Sequence, residues 1–514
     1  MSQISRRKFL KAGAAGVALV SIPAFFRTDP LMAFVTPSGS KATLSDYYMH
    51  FGVDEKTIKD VMGVALERGG DYCDIFFEHT INNRVSLEDN IVNRASTNVD
   101  LGVGIRVIKG DQTGYSFTEE ITPKAMKLAA RTAANIANEN RHISPVELNP
   151  VDIPDYYPIE TACADVNVDK KVPILESIND KIVSSDKRII KVGASFMDSV
   201  TYILIATSEG RIAYDFQPMT RCFANCTAEQ DGQRESNYYI IGGRYGMEYY
   251  TPEKVKHLAD ETVERTLILF DAVKPEGGEM EVVLAAGHAG IILHEAIGHG
   301  MEADFNRKGE SLFADKTGKK VAAEFVTIVD DGTIPHARGS INIDDEANPT
   351  EKTYLVENGI LKTYMHDHIS AKHYGVKPTG NGRRQSFRHS PVPRMRNTYM
   401  LPGPHTKEEV IGSVKKGLYA KSFTNGEVNI GPGDFTFYLK TGYMIENGKL
   451  TRPVKDMNLI GNGFEVLQKI VMVADDLEIA EGGGTCGKSG QWAPVTDGLP
   501  TSKVASITVG GVAV

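Results

Sequence analysis

The sequence is poor in cysteine, and it has no apolar run of membrane-spanning length. The five cysteines, Cys73, Cys163, Cys222, Cys226 and Cys486, are odd in number and widely scattered, which excludes a dense disulfide framework. Cys222 and Cys226 fall in a strand-like stretch, where four residues span roughly 13 Å, too far to bridge. The first four cysteines read as buried small hydrophobes. The apolar run near the N-terminus covers about 15 residues and is interrupted by Pro23, short of the roughly 20 that a spanning helix needs. Low-complexity tracts are absent, as expected of an ordinary globular chain. Basic charge is scarce as well, with 57 Lys and Arg against 66 Asp and Glu, a formal net charge of -9. Residues 1–33 hold a net +4 of that total, so the remainder carries -13. An acidic body argues against sequence-independent nucleic-acid binding, which needs a basic face.

What is present begins at the N-terminus. SRRKFLKAGAAGVALVSIPAFF places Arg6-Arg7 and Lys11 before a mildly apolar, Ala/Gly-rich run. Residues 1–33 read as a twin-arginine export signal, with cleavage near Ala33. The alternatives are a basic amphipathic start or a short membrane anchor. The export reading predicts a periplasmic or otherwise extracytoplasmic protein with no stable membrane span once the signal is removed.

At 514 residues the chain is too long for one compact core, so two domains are expected. Helical spacing marks 54–69, 122–139, 170–186 and 251–271. Between them, 84–118 and 188–243 alternate as antiparallel strands, with turns at Asp89-Asn90 and Gly110-Asp111. KPEGGE at 274–279 looks like a linker. Beyond it one strong helix (286–304) and a second (406–417) stand among strands at 353–365, 396–401, 434–446, 467–475 and 503–513. The expected class is α+β with largely antiparallel sheets. An N-terminal helix-and-meander domain (45–273) precedes a β-rich C-terminal domain (279–514) that carries the candidate metal-binding helix.

That helix contains LHEAIGHGMEAD at 293–304. His294 and His299 offer imidazole nitrogens, but at 100° per residue they diverge by roughly 140° on a regular helix. One metal can bridge them only if the helix is distorted between them. Gly298, just before the second histidine, suits a π-bulge, which would bring His299 back under His294. Glu295 would then project beside the metal as a general base. A buried helix with hydrogen-bonded histidines is the plain alternative. Two histidines also leave a catalytic zinc one protein ligand short.

HEAIGHGMEADFNRKGE at 294–310 resembles the signature of the TldD/PmbA family of modulator-of-gyrase metallopeptidases, on its TldD branch. TGNGRRQSFRHSPVPRMRNTYMLPG (379–403), LIGNGFEVLQKIVMVADDLEI (459–479) and GGGTCGKSGQWAPVTDGLPTSKVASITVGG (482–511) resemble further blocks of that family. The resemblance implies Zn2+ held by His294, His299 and Cys486, with Glu295 activating a zinc-bound water. The glycine-flanked Cys486 could present a thiolate to a distant helix. The resemblance further implies unfolded or short peptides as substrates, taken as extended strands. It implies a homodimer, or a heterodimer with a PmbA-type subunit. A non-catalytic zinc-binding subunit and a peptide-binding maturation factor are the alternatives. Export sets this chain apart from family members, which typically look cytosolic.

Asp304 and Glu302 are candidates to orient a histidine from behind. Arg383, Arg384 and Arg388, with Arg394, Arg396 and His389, form a basic cluster in an acidic chain. Substrate docking, including a peptide carboxylate, is the preferred reading of Arg383, Arg384, Arg388 and His389. Structural ion pairing is the other reading. His288 reads as a helix-start residue. His366, His368 and His373 read as solvated or hydrogen-bonded side chains rather than ligands.

Overall fold

Asp89 (φ 47°) and Asn90 (φ 65°) both adopt left-handed backbone, the geometry of the tight turn that matches strand twist. They join β1 (Tyr72–Glu88) to β2 (Ile91–Lys109), and a turn at Gly110 leads into β3 (Gln112–Thr118). The computed structural model describes residues 42–139 and 146–511, so the export segment 1–33 lies outside the described residues. A second meander, β4 (Ile189–Thr207), β5 (Arg211–Gln230) and β6 (Gln233–Gly243), joins the first where β4 pairs antiparallel with β1. The result is one twisted sheet in the order β3-β2-β1-β4-β5-β6, with the short strand Asn149–Pro150 also on β5.

Helices cover part of this sheet by simple alternation. α1 (Leu44–Phe51), α2 (Glu55–Ala65) and α3 (Pro123–Ala134) bury Tyr47, Ile58, Val61 and Met126 against Ile75, Phe77 and Val103. α4 (Val168–Ser185) and α5 (Pro252–Leu267) set Leu175, Ile178 and Leu258 against Phe196 and Cys222. Phe76, between Ile75 and Phe77, points to the opposite face. There it joins Ile203, Ile205, Ile343 and Phe387, so this face packs on the second half of the chain. A side chain at Gly102 would come within 2.2 Å of the Phe387 ring, so glycine admits that ring to the sheet. A buried ion network crosses the same boundary: Arg106 meets Asp74 at 2.6 Å and Glu346 at 2.7 Å, and Arg384 meets Asp74 at 3.0 Å.

In the second half β7 (Gly278–Leu284), β11 (Lys416–Asn429), β12 (Asp434–Glu446), β13 (Lys449–Asn462), β14 (Ile470–Val473) and β17 (Ser502–Gly511) make one sheet. Its order is β13-β12-β11-β7-β17-β14, and β13 also pairs with β17, which closes it on itself. A second sheet runs β9 (Lys352–Glu357), β8 (Ile328–Asp331), β10 (Asn397–Met400), β16 (Gln491–Leu499), and β15 (Gly484–Lys488) hangs from β16 as a hairpin. Most pairings are antiparallel, and β7–β11 and β10–β16 are parallel. The architecture is the expected α+β class with largely antiparallel sheets. β1 begins at Tyr72, ahead of the expected 84, and β8, β13, β15 and β16 stand where no strand was expected; two helices differ as well. The helix expected over 406–417 spans only Lys407–Gly412, because Lys416 onward is taken up as β11 alongside β7. The strong helix of 286–304 is a broken succession of turns.

Candidate metal centre

The segment after β7 is apolar on the residues that enter the core. Ile292, Leu293, Ile297 and Met301 pack against Val282, Leu418, Phe437 and Leu459 of the closed sheet. The backbone passes from a 3-10 turn (His288–Gly290) through an α turn (Ile291–Leu293) into a π turn (His294–Gly298) and a second 3-10 turn (His299–Met301). In the π turn the His299 N–H donates to the His294 carbonyl, five residues back, which brings the two imidazoles to one side, edge to face. Their ring centroids lie 5.2 Å apart. Gly298 has ordinary helical angles (φ -60°, ψ -49°), so conformational freedom is not its role. A Cβ there would sit 2.1 Å from the Met395 sulfur, and one at Gly463 would sit 1.8 Å from the Ala296 carbonyl oxygen. Glycine permits close packing from two sides, and that packing holds the wide turn in place.

Cys486 arrives on β15. Its hairpin turns through Ser489 (φ 53°) and Gly490 (φ 72°), and Cys486 pairs with Ala493. Arg394 donates to the Cys486 carbonyl at 2.6 Å. The sulfur is therefore presented by a braced strand, not by a flexible glycine run. Ligand atoms of His294, His299 and Cys486 all lie within 4.8 Å of one another, and all three residues are buried. The Cys486 sulfur is 3.3 Å from His299 Nε2, near the edge of roughly 3.5 Å that tetrahedral Zn–S and Zn–N bonds impose.

The donor set fits zinc. Neither ring nitrogen of His294 has a hydrogen-bond partner, although the residue is buried, and a buried imidazole with both nitrogens unsatisfied is costly. A bound cation would take one of the two nitrogens and remove that part of the cost. Burial pushes the Cys486 thiol up, but the His294 and His299 imidazoles outweigh it and bring it down to about 4, which favours the thiolate that ligates metals. Burial works against the charged form of His294 and His299. The Cys486 sulfur raises His294, and Glu302 with Cys486 raises His299 well above the ordinary range.

Glu295 follows His294 in the same turn, with Oε2 3.7 Å from His299 Nε2 and part of its side chain open to solvent. Burial holds its carboxyl above the ordinary value, against the pull of both imidazoles. The carboxylate behind the histidines is Glu302, which is fully buried and accepts from His299 Nδ1 at 2.8 Å. That bond fixes Nε2 as the free nitrogen facing Cys486. Lys488 lies 3.1 Å from Glu302 and 2.8 Å from Asp304. Asp304 thus touches Lys488 and acts on the histidine only through it. Lys488 was not among the residues singled out from sequence. A period of two on β15 puts it on the same face as Cys486, a signal the sequence did contain.

The arginines divide. Arg383 donates to the carbonyls of Met395 (2.6 Å) and Pro494 (2.8 Å), and Arg384 to Asp74 and the Asp345 carbonyl. Both are buried, and these contacts knit the fold together rather than facing a ligand. Arg388 and His389 do line an open cavity, described below. His366 is buried 3.3 Å from the Thr363 hydroxyl, and His368 stacks on Tyr72. His288 sits at the first turn of the segment, 3.8 Å from Asp497. No second cluster of potential metal ligands occurs among the described residues.

Three family models match in series: PmbA/TldA metallopeptidase domain 1 over 73–137, the central domain over 162–270 and the C-terminal domain over 277–511. A Haemophilus influenzae protein named Metalloprotease TldD homolog is 40% identical over 463 residues, 89% of this chain and 96% of that one. A Saccharolobus solfataricus protein named Zinc metalloprotease TldD homolog is 30% identical over 451 residues, 87% of this chain and 98% of that one. The fold matches the crystal structure of TldE from Thermococcus kodakarensis with a TM-score of 0.70 at 20% identity, covering 88% of this chain and 100% of that one. With a His-His-Cys cluster on its π turn and hairpin, and relatives of this closeness along nearly its whole length, the chain belongs to the PmbA/TldD metallopeptidase family, on the TldD side.

Proposed function

We propose that the chain is a zinc-dependent peptidase acting on unfolded or short peptides. The observation that carries this reading is the convergence of His294, His299 and Cys486 within 4.8 Å, beside a Glu295 whose one ion contact among the described residues is His299 at 3.7 Å. Zinc, when bound, supplies Lewis acidity toward a carbonyl and toward water. Glu295 takes the proton from the attacking water and returns it to the departing amine, a task suited to a carboxyl raised by burial. Glu302 keeps His299 in the tautomer that leaves Nε2 free. A structural zinc needs no such base, so the position of Glu295 favours catalysis over a non-catalytic zinc-binding subunit or a maturation factor that only binds peptides. The test is Glu295→Gln, assayed by zinc content and by mass spectrometry of a peptide-library digest. Zinc is expected to stay while cleavage falls by at least about a hundredfold. Unchanged cleavage removes Glu295 from the mechanism.

The same proposal includes a two-subunit assembly, a homodimer or a pair with a PmbA-type subunit, and twin-arginine export to an extracytoplasmic compartment. The twin-arginine route carries folded proteins, so a zinc centre assembled with the fold would travel intact. Light scattering of the purified chain tests the first. Export of a reporter fused to residues 1–33 tests the second.

A further inference from the structure

Between the sheet of the first half and the β15–β16 hairpin lies a cavity of about 450 Å³. Thr485 and Trp492 line it, on the face of the hairpin opposite Cys486. Arg244, Arg338 and Arg388 also line it. Arg388 is matched by Asp100 at 3.0 Å and Glu119 at 2.8 Å. Arg244 and Arg338 have no carboxylate within ion-pair distance among the described residues.

Arg244 is only 2% exposed, and its Nε has no hydrogen-bond partner. Its Nη1 lies 3.5 Å from the Gln217 side-chain oxygen, and its guanidinium sits over the Tyr157 ring. Asp215, the nearest carboxylate along its own sheet, is already taken by Tyr157, Gln217 and Asn342. Arg338 donates to the Gly484 carbonyl (2.9 Å) and the Thr485 hydroxyl (3.2 Å), neutral partners both. Behind them Arg221 and Arg383 likewise donate to carbonyls. Arg338 is half-buried, and its lost solvation with the neighbouring guanidiniums of Arg221, Arg244 and Arg383 brings it down to about 9. The remaining acid in the wall is Glu78. Burial pushes it up to about 7, outweighing the Phe387 N–H and Thr80 hydroxyl that donate to it and favour its charged form. Arg244 is thus a buried cation with no carboxylate in ion-pair contact, and such a cation is costly unless an anion completes it.

We propose that this cavity binds the carboxy-terminal carboxylate of a short peptide, held by Arg244 and Arg338. The inference rests on the peptidase reading, since it takes the occupant to be substrate. The volume falls in the range of about 300–1,000 Å³ that small-ligand sites occupy, more than a free phosphate fills. Trp492, 59% exposed, and Met219 supply apolar wall for side chains, and Thr485 adjoins the metal-facing Cys486 in sequence. Peptides with free C-termini are then preferred over blocked ones.

Trp492 is the single tryptophan of the chain, so its fluorescence reports this cavity directly. The probes are one acetylated tripeptide as free acid and as C-terminal amide, and inorganic phosphate. The protein is the zinc-loaded full chain carrying Glu295→Gln, which keeps the peptides intact. The free acid is expected to bind at least about tenfold more tightly than the amide. Arg338→Gln should erase that difference, and Arg338→Lys should restore part of it. Equal binding of acid and amide to the chain with Arg338 intact overturns the proposal and needs no folded arginine variant. Phosphate that the free acid displaces supports it. Phosphate that the acid leaves in place marks a free-anion site and overturns it. Cleavage by the unsubstituted chain is read separately, so failure of the peptidase reading is distinguishable from failure of the carboxylate site.

Discussion

Replacing Glu302 with glutamine is the sharpest probe of how the centre is built. The Glu302 carboxylate is fully buried, lies 2.8 Å from His299 Nδ1 and 3.1 Å from Lys488 Nζ, and burial alone would raise its pKa. Lys488 and His299 overcome that and hold it at about 2, so it is an anion under all working conditions. Glutamine keeps the shape and can still accept from Nδ1, but it removes the charge that makes Nε2 a stronger donor. Loss of such a partner behind a metal-bound histidine costs about 10- to 100-fold in affinity, or about 1.4–2.8 kcal/mol. Stability should fall by less than the roughly 3–5 kcal/mol of an orphaned buried charge. Lys488 keeps Asp304 at 2.8 Å and the Pro393 carbonyl at 2.9 Å. Zinc competition against a chromophoric chelator, with urea unfolding alongside, measures both quantities. Asp304→Asn is the control, because Asp304 touches Lys488 and not the histidine. The reasoning is refuted if Glu302→Gln binds zinc as tightly as the unsubstituted chain, or if Asp304→Asn weakens zinc equally.

Cys486→Ala should lose stoichiometric zinc. A chelator should lower the melting temperature of the unsubstituted chain and leave the variant unmoved, since only the folded state of the former binds metal; equal chelator shifts would remove Cys486 from the site. Gly463→Ala places a Cβ 1.8 Å from the Ala296 carbonyl oxygen, backbone against backbone. The π turn must shift, at about 1–3 kcal/mol of stability and with weaker zinc binding, read by urea unfolding and metal titration; an unchanged midpoint would mean the turn is not held from that side. Glu78 sets a pH dependence. Its carboxyl titrates near 7 folded against an ordinary 4.5, so between those values the folded chain holds a proton that the unfolded chain has released. Stability therefore falls as pH rises through that window, by at most about 3 kcal/mol from this group. Unfolding free energies of the unsubstituted chain and Glu78→Gln, compared from pH 4.5 to 7.5, should diverge by that amount; parallel curves would contradict the shift.

The first half of the fold was legible because local chemistry decides it. Asp89-Asn90 and Gly110-Asp111 tolerate left-handed backbone, so they fix where the strands reverse, and alternation fixes which side chains turn inward. The second half was less so. β13 contains Pro453 and several polar residues, and nothing in its own sequence calls for a strand. It forms as the second arm of a hairpin with β12 across Asn447 (φ 52°) and Gly448 (φ 73°), a turn signal that lies outside the strand itself, and its far end is held by β17, a pairing between residues far apart in the chain. The expected 406–417 helix was shortened for the same reason, since Gly417 pairs with Glu281 of β7.

At the centre, spacing alone left a metal site and a plain buried helix both open, and it tied the metal reading to a π-bulge or bend, because two histidines five residues apart cannot share a metal on a regular helix. The Glu302–His299 bond was harder to choose over Asp304. Helical spacing ends at Met301, and Glu302 takes extended angles (φ -74°, ψ 125°) that swing its carboxylate back beneath His299. A helix-wheel argument misplaces every side chain beyond that break. The arginines show the opposite limit. A run such as Arg383-Arg384 is conspicuous in the sequence, yet both side chains are spent inside the fold. Arg244 and Arg338 are isolated in the sequence, and they share a cavity only because the β15–β16 hairpin docks beside the first sheet. A run of charge in sequence predicts that partners exist. Which charges lack partners, and so remain for a ligand, is decided by how distant elements pack.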